Sequence, residues 1–326
     1  MGKRVCVMGG AGYVGSALVP RLLERGDDVM VYDTYWYGDI FGEMRNCKLK
    51  EVRGDIRDRS KLLDNIKGMD AILHLACISN DPSFDLNPSL GRSINLDAFH
   101  NVLDVARQNP EARFVYASSS SVYGVKKEKE VIEEMIEEPL TDYSKFKLEC
   151  EKILKAEARD LDYVIVRPAT VCGYAPRLRL DVVVNILTIN ALERGIILVD
   201  GGEQTRPNIH VKDMVGVYEK LIDSPSDKTR YEIFNAGDEN HSVRELAEIV
   251  RRKVPNATIQ INPVKDQRSY NVNSDKIKRF LGFRTSETIE SAVESIVDAY
   301  REGKIIEGLT NPIYHNIKRM KELNIS

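Results

Sequence analysis

Two rhythms of apolar residues alternate along this chain. Six short runs read as strands, Lys3 to Met8, Asp28 to Tyr32, Leu49 to Arg53, Ala71 to Leu75, Arg113 to Ala117 and Tyr163 to Val166. Most are apolar almost without interruption, whereas the stretches between them, such as Ser16 to Arg25, repeat at helical spacing. Uninterrupted apolar runs suit strands buried on both faces, and strands alternating with helices build parallel sheets. The pattern predicts an α/β fold with a doubly wound parallel sheet. Beyond Gly173 it becomes irregular, with a helix near Asp181 to Arg194, a return strand at Tyr231 to Asn235, a helix at Val243 to Lys253 and further helices from Ser274 onward. This divides the chain into a cofactor-binding domain, 1–173, and a smaller C-terminal substrate-binding lobe, 174–326, whose return strand 231–235 joins the sheet. Lys126 to Glu138, rich in charge, is expected to be a solvated, mobile loop.

The first predicted strand runs into Gly9-Gly10-Ala11-Gly12-Tyr13-Val14-Gly15 and then a helix. Glycines at 9 and 12 let backbone approach a pyrophosphate, Gly15 permits close helix packing, and the helix amino terminus offers free N–H groups to an anion. The second strand ends in Asp33, at the distance where a carboxylate accepts bonds from the adenosine ribose hydroxyls and repels a 2′-phosphate. Strand, glycine turn, helix and acid together predict a Rossmann-type site for NAD rather than NADP. Asp55, after the third strand, is placed to meet the adenine amine, and Asp58 to meet it or to cap a helix.

Arg113 to Ala117 leads into Ser118-Ser119-Ser120-Ser121-Val122-Tyr123-Gly124. Open α/β sheets place ligands at the carboxyl ends of their strands, so these serines stand where a hydroxyl can orient or relay a proton; as turn formers they would instead bond their own backbone. Tyr143 and Lys147 follow, spaced Y-x-x-x-K. On the helix predicted over Thr141 to Arg159, residues four apart share a face, so Lys147 lies beneath Tyr143. A phenol titrates at about pH 10. A neighbouring ammonium stabilises the phenolate and makes Tyr143 a candidate general base. Alone, such a pair is an ordinary feature of a helix surface; the glycine turn and serine strand give it weight.

With these pieces in place, the chain resembles the extended short-chain dehydrogenase/reductases of the NAD-dependent sugar-nucleotide epimerase/dehydratase family. The matching segments are the glycine turn, Asp33, Gly54-Asp55, His74-Leu75-Ala76, Asn95, the serine strand, Tyr143/Lys147, Arg167-Pro168, Arg206 to Asp213 and Phe234 to Gly237. The resemblance implies Ser119, Tyr143 and Lys147 as the catalytic set, Tyr143 as the base and Lys147 bonding the nicotinamide ribose while lowering the tyrosine pKa. It implies NAD contacts from Gly9, Gly12, Tyr13, Val14, Gly15, Asp33, Asp55, Ile56, Leu75, Ala76, Tyr143 and Lys147. Substrate contacts are expected from Ser119, Arg206 and Arg268, and from Arg179, which with Arg177 sits on a loop where guanidinium groups clamp a diphosphate or are simply solvated. His210 is expected to order its loop. Tyr35, Trp36 and Tyr37 either flank adenine or cover apolar surface.

Departures refine the expectation. The family's 4,6-dehydratases carry an Asp-Glu pair directly after the catalytic Ser/Thr, where this chain has Ser120 and Ser121, so dehydration is disfavoured. Arg167-Pro168-Ala169-Thr170 lacks the asparagine with which many epimerases touch the diphosphate. The expected function is NAD-dependent epimerisation of a sugar nucleotide through a 4-keto intermediate. Tyr174 to Asn185 resembles a branch that includes 4-dehydrogenases of GDP-linked heptoses, which makes net oxidation the alternative. A regulatory protein that only binds NAD would be expected to have lost part of the Ser/Tyr/Lys set, which is intact here.

Composition excludes other classes. Forty-seven basic residues nearly balance fifty acidic ones, for a net charge of −3, so no broad basic surface for nucleic acid is implied. No apolar run reaches the length of a membrane span, and strand one begins at Lys3, so neither a membrane segment nor a cleavable leader is expected and the protein is expected in the cytoplasm. The five cysteines form no C-x-x-C pair and the histidines do not cluster, so no metal site is predicted. Cys6 and Cys150 read as small buried hydrophobes. By resemblance, helices over Asn95 to Arg107 and Thr141 to Arg159 would join two copies into a homodimer.

Overall fold

The computed structural model describes residues 2–44, 46–126, 128, 130–263 and 269–325. Its first six strands, β1 (Arg4–Met8), β2 (Asp28–Asp33), β3 (Leu49–Arg53), β4 (Ala71–His74), β5 (Arg113–Ala117) and β6 (Asp162–Pro168), lie within two residues of the predicted runs. Then come β7 (Thr170–Cys172), β8 (Ile196–Asp200), β9 (Thr205–His210), β10 (Ile233–Ala236), β11 (Glu239–Ser242) and β12 (Thr258–Asn262). Seven strands form one sheet in the order β10-β6-β5-β4-β1-β2-β3. Every pairing in it is parallel. This is the Rossmann-type doubly wound sheet. The order reverses between β1 and β4, which opens a crevice at their carboxyl ends.

Alternate residues of β1 serve opposite faces, as the period of a strand requires. Val5 and Val7 pack with Leu18, Val19 and Leu22 of the helix Tyr13–Glu24 and with Met214 and Leu221 of the helix Val211–Asp223. Cys6 and Met8 pack with Val102 and Leu103 of the helix Phe99–Arg107 and with Cys150 and Leu154 of the helix Asp142–Glu157. Thr141 caps the latter helix reciprocally with Ser144, which fixes where its first turn begins. That turn carries Tyr143 to the rim of the sheet.

The segment after β6 builds two smaller sheets, β11-β9-β7 and β12-β8. β7, β9, β11 and β12 are short or polar, with no apolar run to announce them, whereas β8 is the apolar run Ile-Ile-Leu-Val, which the sequence reading passed over. No helix among the described residues is long and apolar enough to cross a membrane.

Glu128, Glu130, Ile132, Glu134, Ile136 and Glu138 are exposed, as expected, but the stretch 126–138 is pinned at three points. Val131 is fully buried, its N–H donates to the Asn271 carbonyl at 2.8 Å, and it bridges to Val272. Glu133 accepts the Asn235 N–H at 2.7 Å, and Glu137 accepts from Arg167 Nη2 at 2.5 Å. Arg167, which is fully buried, holds the stretch through the Glu137 carboxylate and, from Nη1, the Glu133 backbone carbonyl at 3.4 Å. Its guanidinium also donates to Glu151, Nε to Oε1 at 3.0 Å and Nη2 to Oε2 at 2.6 Å. Removing one side of such a pair leaves an uncompensated buried charge. Arg167→Met should therefore lower unfolding free energy by about 3–5 kcal/mol. Urea denaturation of the variant beside the parent checks this, and a loss below about 1 kcal/mol, the ceiling for an exposed pair, would refute it.

Candidate active site

The glycine turn fills the notch where β1 meets the helix Tyr13–Glu24. Gly9 has φ +82°, and a Cβ there would come within 2.6 Å of the Ala76 nitrogen; at Gly15 it would stand 2.4 Å from the Gly10 carbonyl oxygen. Gly12 is the residue before the helix and lines the crevice, so the backbone N–H groups of the first turn face a ligand at close range. The cradle fits a diphosphate.

Beside it lies a cavity of about 110 Å³ lined by Asp33, Gly54, Asp55, Ile56, Leu75 and Ala76. Asp33 accepts the Ala11 N–H at 3.0 Å through one oxygen and the Tyr35 N–H at 2.8 Å through the other, so it braces the glycine turn as well as facing the cavity. Burial raises its carboxyl above the usual range, against those hydrogen bonds. Desolvation would raise Asp55 too, but bonds from Arg57, the shortest 2.7 Å, hold it below. Asp58 caps the helix Arg59–Asn65 through the Lys61 N–H. The aromatic cluster divides: Tyr35 is buried with its hydroxyl 3.1 Å from Glu51, whereas Trp36 and Tyr37 line the cavity.

The larger cavity, about 400 Å³, brings together Gly9, Gly12, Tyr13, Val14, Gly15, Leu75, Ser119, Tyr143, Lys147, Arg179 and Arg206. Ser119 Oγ stands 2.8 Å from Ser121 Oγ and accepts the Ser121 N–H; Ser120 Oγ is 3.1 Å from the Tyr270 hydroxyl. Lys147 Nζ donates to the Ala117 carbonyl at 2.7 Å and lies 6.0 Å from the centre of the Tyr143 ring. Desolvation pushes the Tyr143 phenol up, and the influences that lower it are the charge of Arg179 and a hydrogen bond with Ser119. Below them His74 stacks against Phe99 and Tyr116, which also touch each other, and burial brings its pKa down to about 3, so it stays neutral.

Arg179 is not solvated. Its Nε donates to Asp181 at 2.5 Å and its Nη1 to Ser79 at 3.0 Å, with the side chain 13% exposed. Arg206 reaches the same cavity from β9, with Nη1 donating to the Thr205 carbonyl. Tyr13 commits its hydroxyl to the Gly173 carbonyl at 2.5 Å and accepts from Asn185. His210 accepts the Lys212 N–H through Nδ1 and so orders the start of its helix. Arg268 lies outside the described residues.

Sequence reasoning missed several lining residues. Ser79, Asn80 and Asp81 follow β4 directly, and their place at a strand's carboxyl end was a usable signal. Asn316 and Met320, on the C-terminal helix Asn316–Glu322, carried none.

Residues 5–237 match the family model described as NAD dependent epimerase/dehydratase family. UDP-glucuronic acid decarboxylase 2 of Arabidopsis thaliana is 30% identical over 319 residues, covering 92% of this chain and 69% of that protein. UDP-glucose 4-epimerase of Lactobacillus helveticus is 30% identical over 237 residues, covering 68% of this chain and 70% of that one. Among solved structures, a dTDP-glucose 4,6-dehydratase from Streptomyces venezuelae with NAD bound gives a TM-score of 0.84 at 25% identity, covering 95% of this chain and 99% of that chain.

The position of Asp33 yields a test of dinucleotide choice. Asp33→Asn removes the charge that repels a 2′-phosphate, so the ratio of NADP to NAD affinity should rise on the order of tenfold. Calorimetric titration with each dinucleotide measures it, and an unchanged ratio would remove Asp33 from the selectivity site.

Proposed function

Since the chain belongs to the NAD dependent epimerase/dehydratase family, we propose that this NAD-dependent enzyme of nucleotide sugars inverts C4 of a nucleoside-diphosphate sugar. NAD, when bound, takes up a hydride and returns it. Residues 1–173 hold the cofactor, and 174–326 close over the sugar. Glycines 9, 12 and 15, with the Tyr13 and Val14 backbone, hold the diphosphate of NAD. Asp33 takes the adenosine ribose, and Asp55, Ile56, Leu75 and Ala76 wall the adenine side.

Ser119 and Tyr143 hold the sugar 4-hydroxyl, and Tyr143 takes its proton as hydride leaves C4. Lys147 bonds the nicotinamide ribose. Arg179 and Arg206, with Arg268, grip the sugar-nucleotide diphosphate. Re-delivery of hydride to the other face of the 4-keto sugar, with the proton returned from Tyr143 to the 4-oxygen, completes the inversion without net redox change. By the same resemblance the protein works as a cytoplasmic homodimer.

One observation carries the reading. Ser119 and Tyr143 share a cavity with the glycine turn, while Ser120 and Ser121 are hydrogen-bonded to Tyr270 and Ser119 where elimination of water would call for acids. Among the described residues, the carboxylate lining that cavity is Asp81, which accepts from Thr141 Oγ1 at 2.6 Å.

Three measurements test it. Incubation with a panel of nucleoside-diphosphate hexoses and heptoses should give an isomer of unchanged mass by mass spectrometry, with inversion at C4 by proton NMR. A product two hydrogens lighter would replace epimerase by dehydrogenase, and loss of water or carbon dioxide would overturn the proposal. Tyr143→Phe should cost about 10²–10⁴-fold in kcat while NAD binding persists; unchanged turnover would dismiss the base. Arg179 lowers the Tyr143 phenol, so Arg179→Met should raise that pKa and move the acidic limb of the kcat–pH profile toward higher pH. A limb that stays in place would show that Arg179 does not tune the base.

A further inference from the structure

We infer that Arg177 and Asn316 form a clasp that closes on the dinucleotide diphosphate from the side opposite the glycine turn, using the C-terminal helix as its arm. The inference rests on NAD as the cofactor and adds binding residues to that site.

The two cavities meet at a throat. Gly9, Gly12, Tyr37, Leu75, Cys77 and Asn316 line both. A dinucleotide with its adenosine by Asp33 and its nicotinamide by Tyr143 must pass its diphosphate through that throat, with glycine backbone on one wall. On another wall is Asn316, 4% exposed. Its side-chain oxygen accepts from Arg177 Nη2 at 2.6 Å, its side-chain nitrogen donates to Ser79 Oγ at 3.2 Å, and its backbone N–H donates to Asp181 at 3.2 Å.

Arg177 is 5% exposed and opens onto the larger cavity. Its guanidinium lies 3.7 Å from the centre of the Tyr37 ring, and its backbone N–H donates to Ser16 Oγ in the first turns of the glycine helix. The acids whose charge it feels are Asp181 and Asp33. The first bonds Arg179 and the second bonds the Ala11 and Tyr35 backbone. Among the described residues, Arg177 Nε has no hydrogen-bond partner although it is buried. A buried cation with an unfilled donor is costly, and phosphate oxygens are the acceptors whose geometry suits a guanidinium.

The helix that carries Asn316 is anchored at both rims. Met320 is 1% exposed, joins the core cluster containing Cys6 and Met8, and lines the adenosine cavity. Arg319 Nε donates to the Trp36 carbonyl at 2.5 Å on the facing wall. A dinucleotide seated in the throat lies against this anchored helix, so loosening the clasp should speed its release.

The test uses the full chain and three ligands: adenosine, ADP-ribose and NADH. Arg177→Met and, as the milder change, Asn316→Ala should weaken ADP-ribose roughly tenfold to a hundredfold, the loss of one charge-assisted hydrogen bond. Adenosine, which has no phosphate, should change less than about twofold, within the factor expected of context alone. Trp36, the chain's one tryptophan, lines the cavity. Energy transfer from it to NADH in stopped flow should show release at least about tenfold faster in both variants.

Equal losses for adenosine and ADP-ribose would reduce the pair to a structural role and overturn the clasp. So would unchanged ADP-ribose affinity in both variants. A parent protein that binds neither ADP-ribose nor NADH would sink the cofactor reading along with it, whereas a tightly binding parent with unaffected variants removes the clasp alone.

Discussion

Backbone contact between Gly9 and Leu75–Ala76, where β1 and β4 end side by side, is the constraint on which the rest of the molecule depends. A Cβ at Gly9 would meet the Ala76 nitrogen at 2.6 Å and the Leu75 carbonyl carbon at 2.9 Å. Only a residue without a side chain lets the two strand ends converge so closely and takes φ +82° there without strain. That convergence sets the origin of the helix Tyr13–Glu24, places Leu75 in both cavities and puts the throat between them. The rest of the site is arranged around this seam: Asp33 braces it from β2, and Tyr143 faces it from the helix after β5.

Two buried arginines show how differently one side chain can be used. Arg167 is met by Glu151 and Glu137, so its charge is neutralised within the protein and its effect is architectural. Arg177 rests on a tyrosine ring and an asparagine carbonyl, neither of which carries charge. The first arrangement is complete in itself; the second leaves positive potential directed at a cavity, as an anion site requires. Arg179 stands between these extremes, held by Asp181 yet close enough to act on the Tyr143 phenol.

Much of the fold was legible because it is local. The strands of the parallel sheet are short runs bounded by turn residues, and the helix Asp142–Glu157 lies inside the predicted span, starting at the cap that Thr141 forms with Ser144. The glycine turn was legible for the same reason, since its requirement is met within seven consecutive residues. What escaped was set by distant partners. β7 and β9 become strands by pairing, β9 parallel to β7 and antiparallel to β11, and their Thr-Val-Cys and Thr-Arg-Pro-Asn-Ile-His carry no alternation. In the stretch 126–138 charge did mark solvent at alternate positions, but Glu137 pairs with a buried arginine thirty positions downstream and Glu133 is buried where it accepts the Asn235 N–H. Asn316 had no pattern at all, because nothing near it in the chain reveals that its helix lies across the throat.

The core cluster shared by Cys6, Met8 and Met320 has a consequence for how the protein is made. A ribosome releases β1 about three hundred residues before the helix Asn316–Glu322 that packs on the same core. While synthesis proceeds, the apolar surface destined to meet Met320 stays uncovered, and the growing chain must be shielded from association with its neighbours until that helix emerges. That face of the sheet is therefore completed only by a segment made long after it.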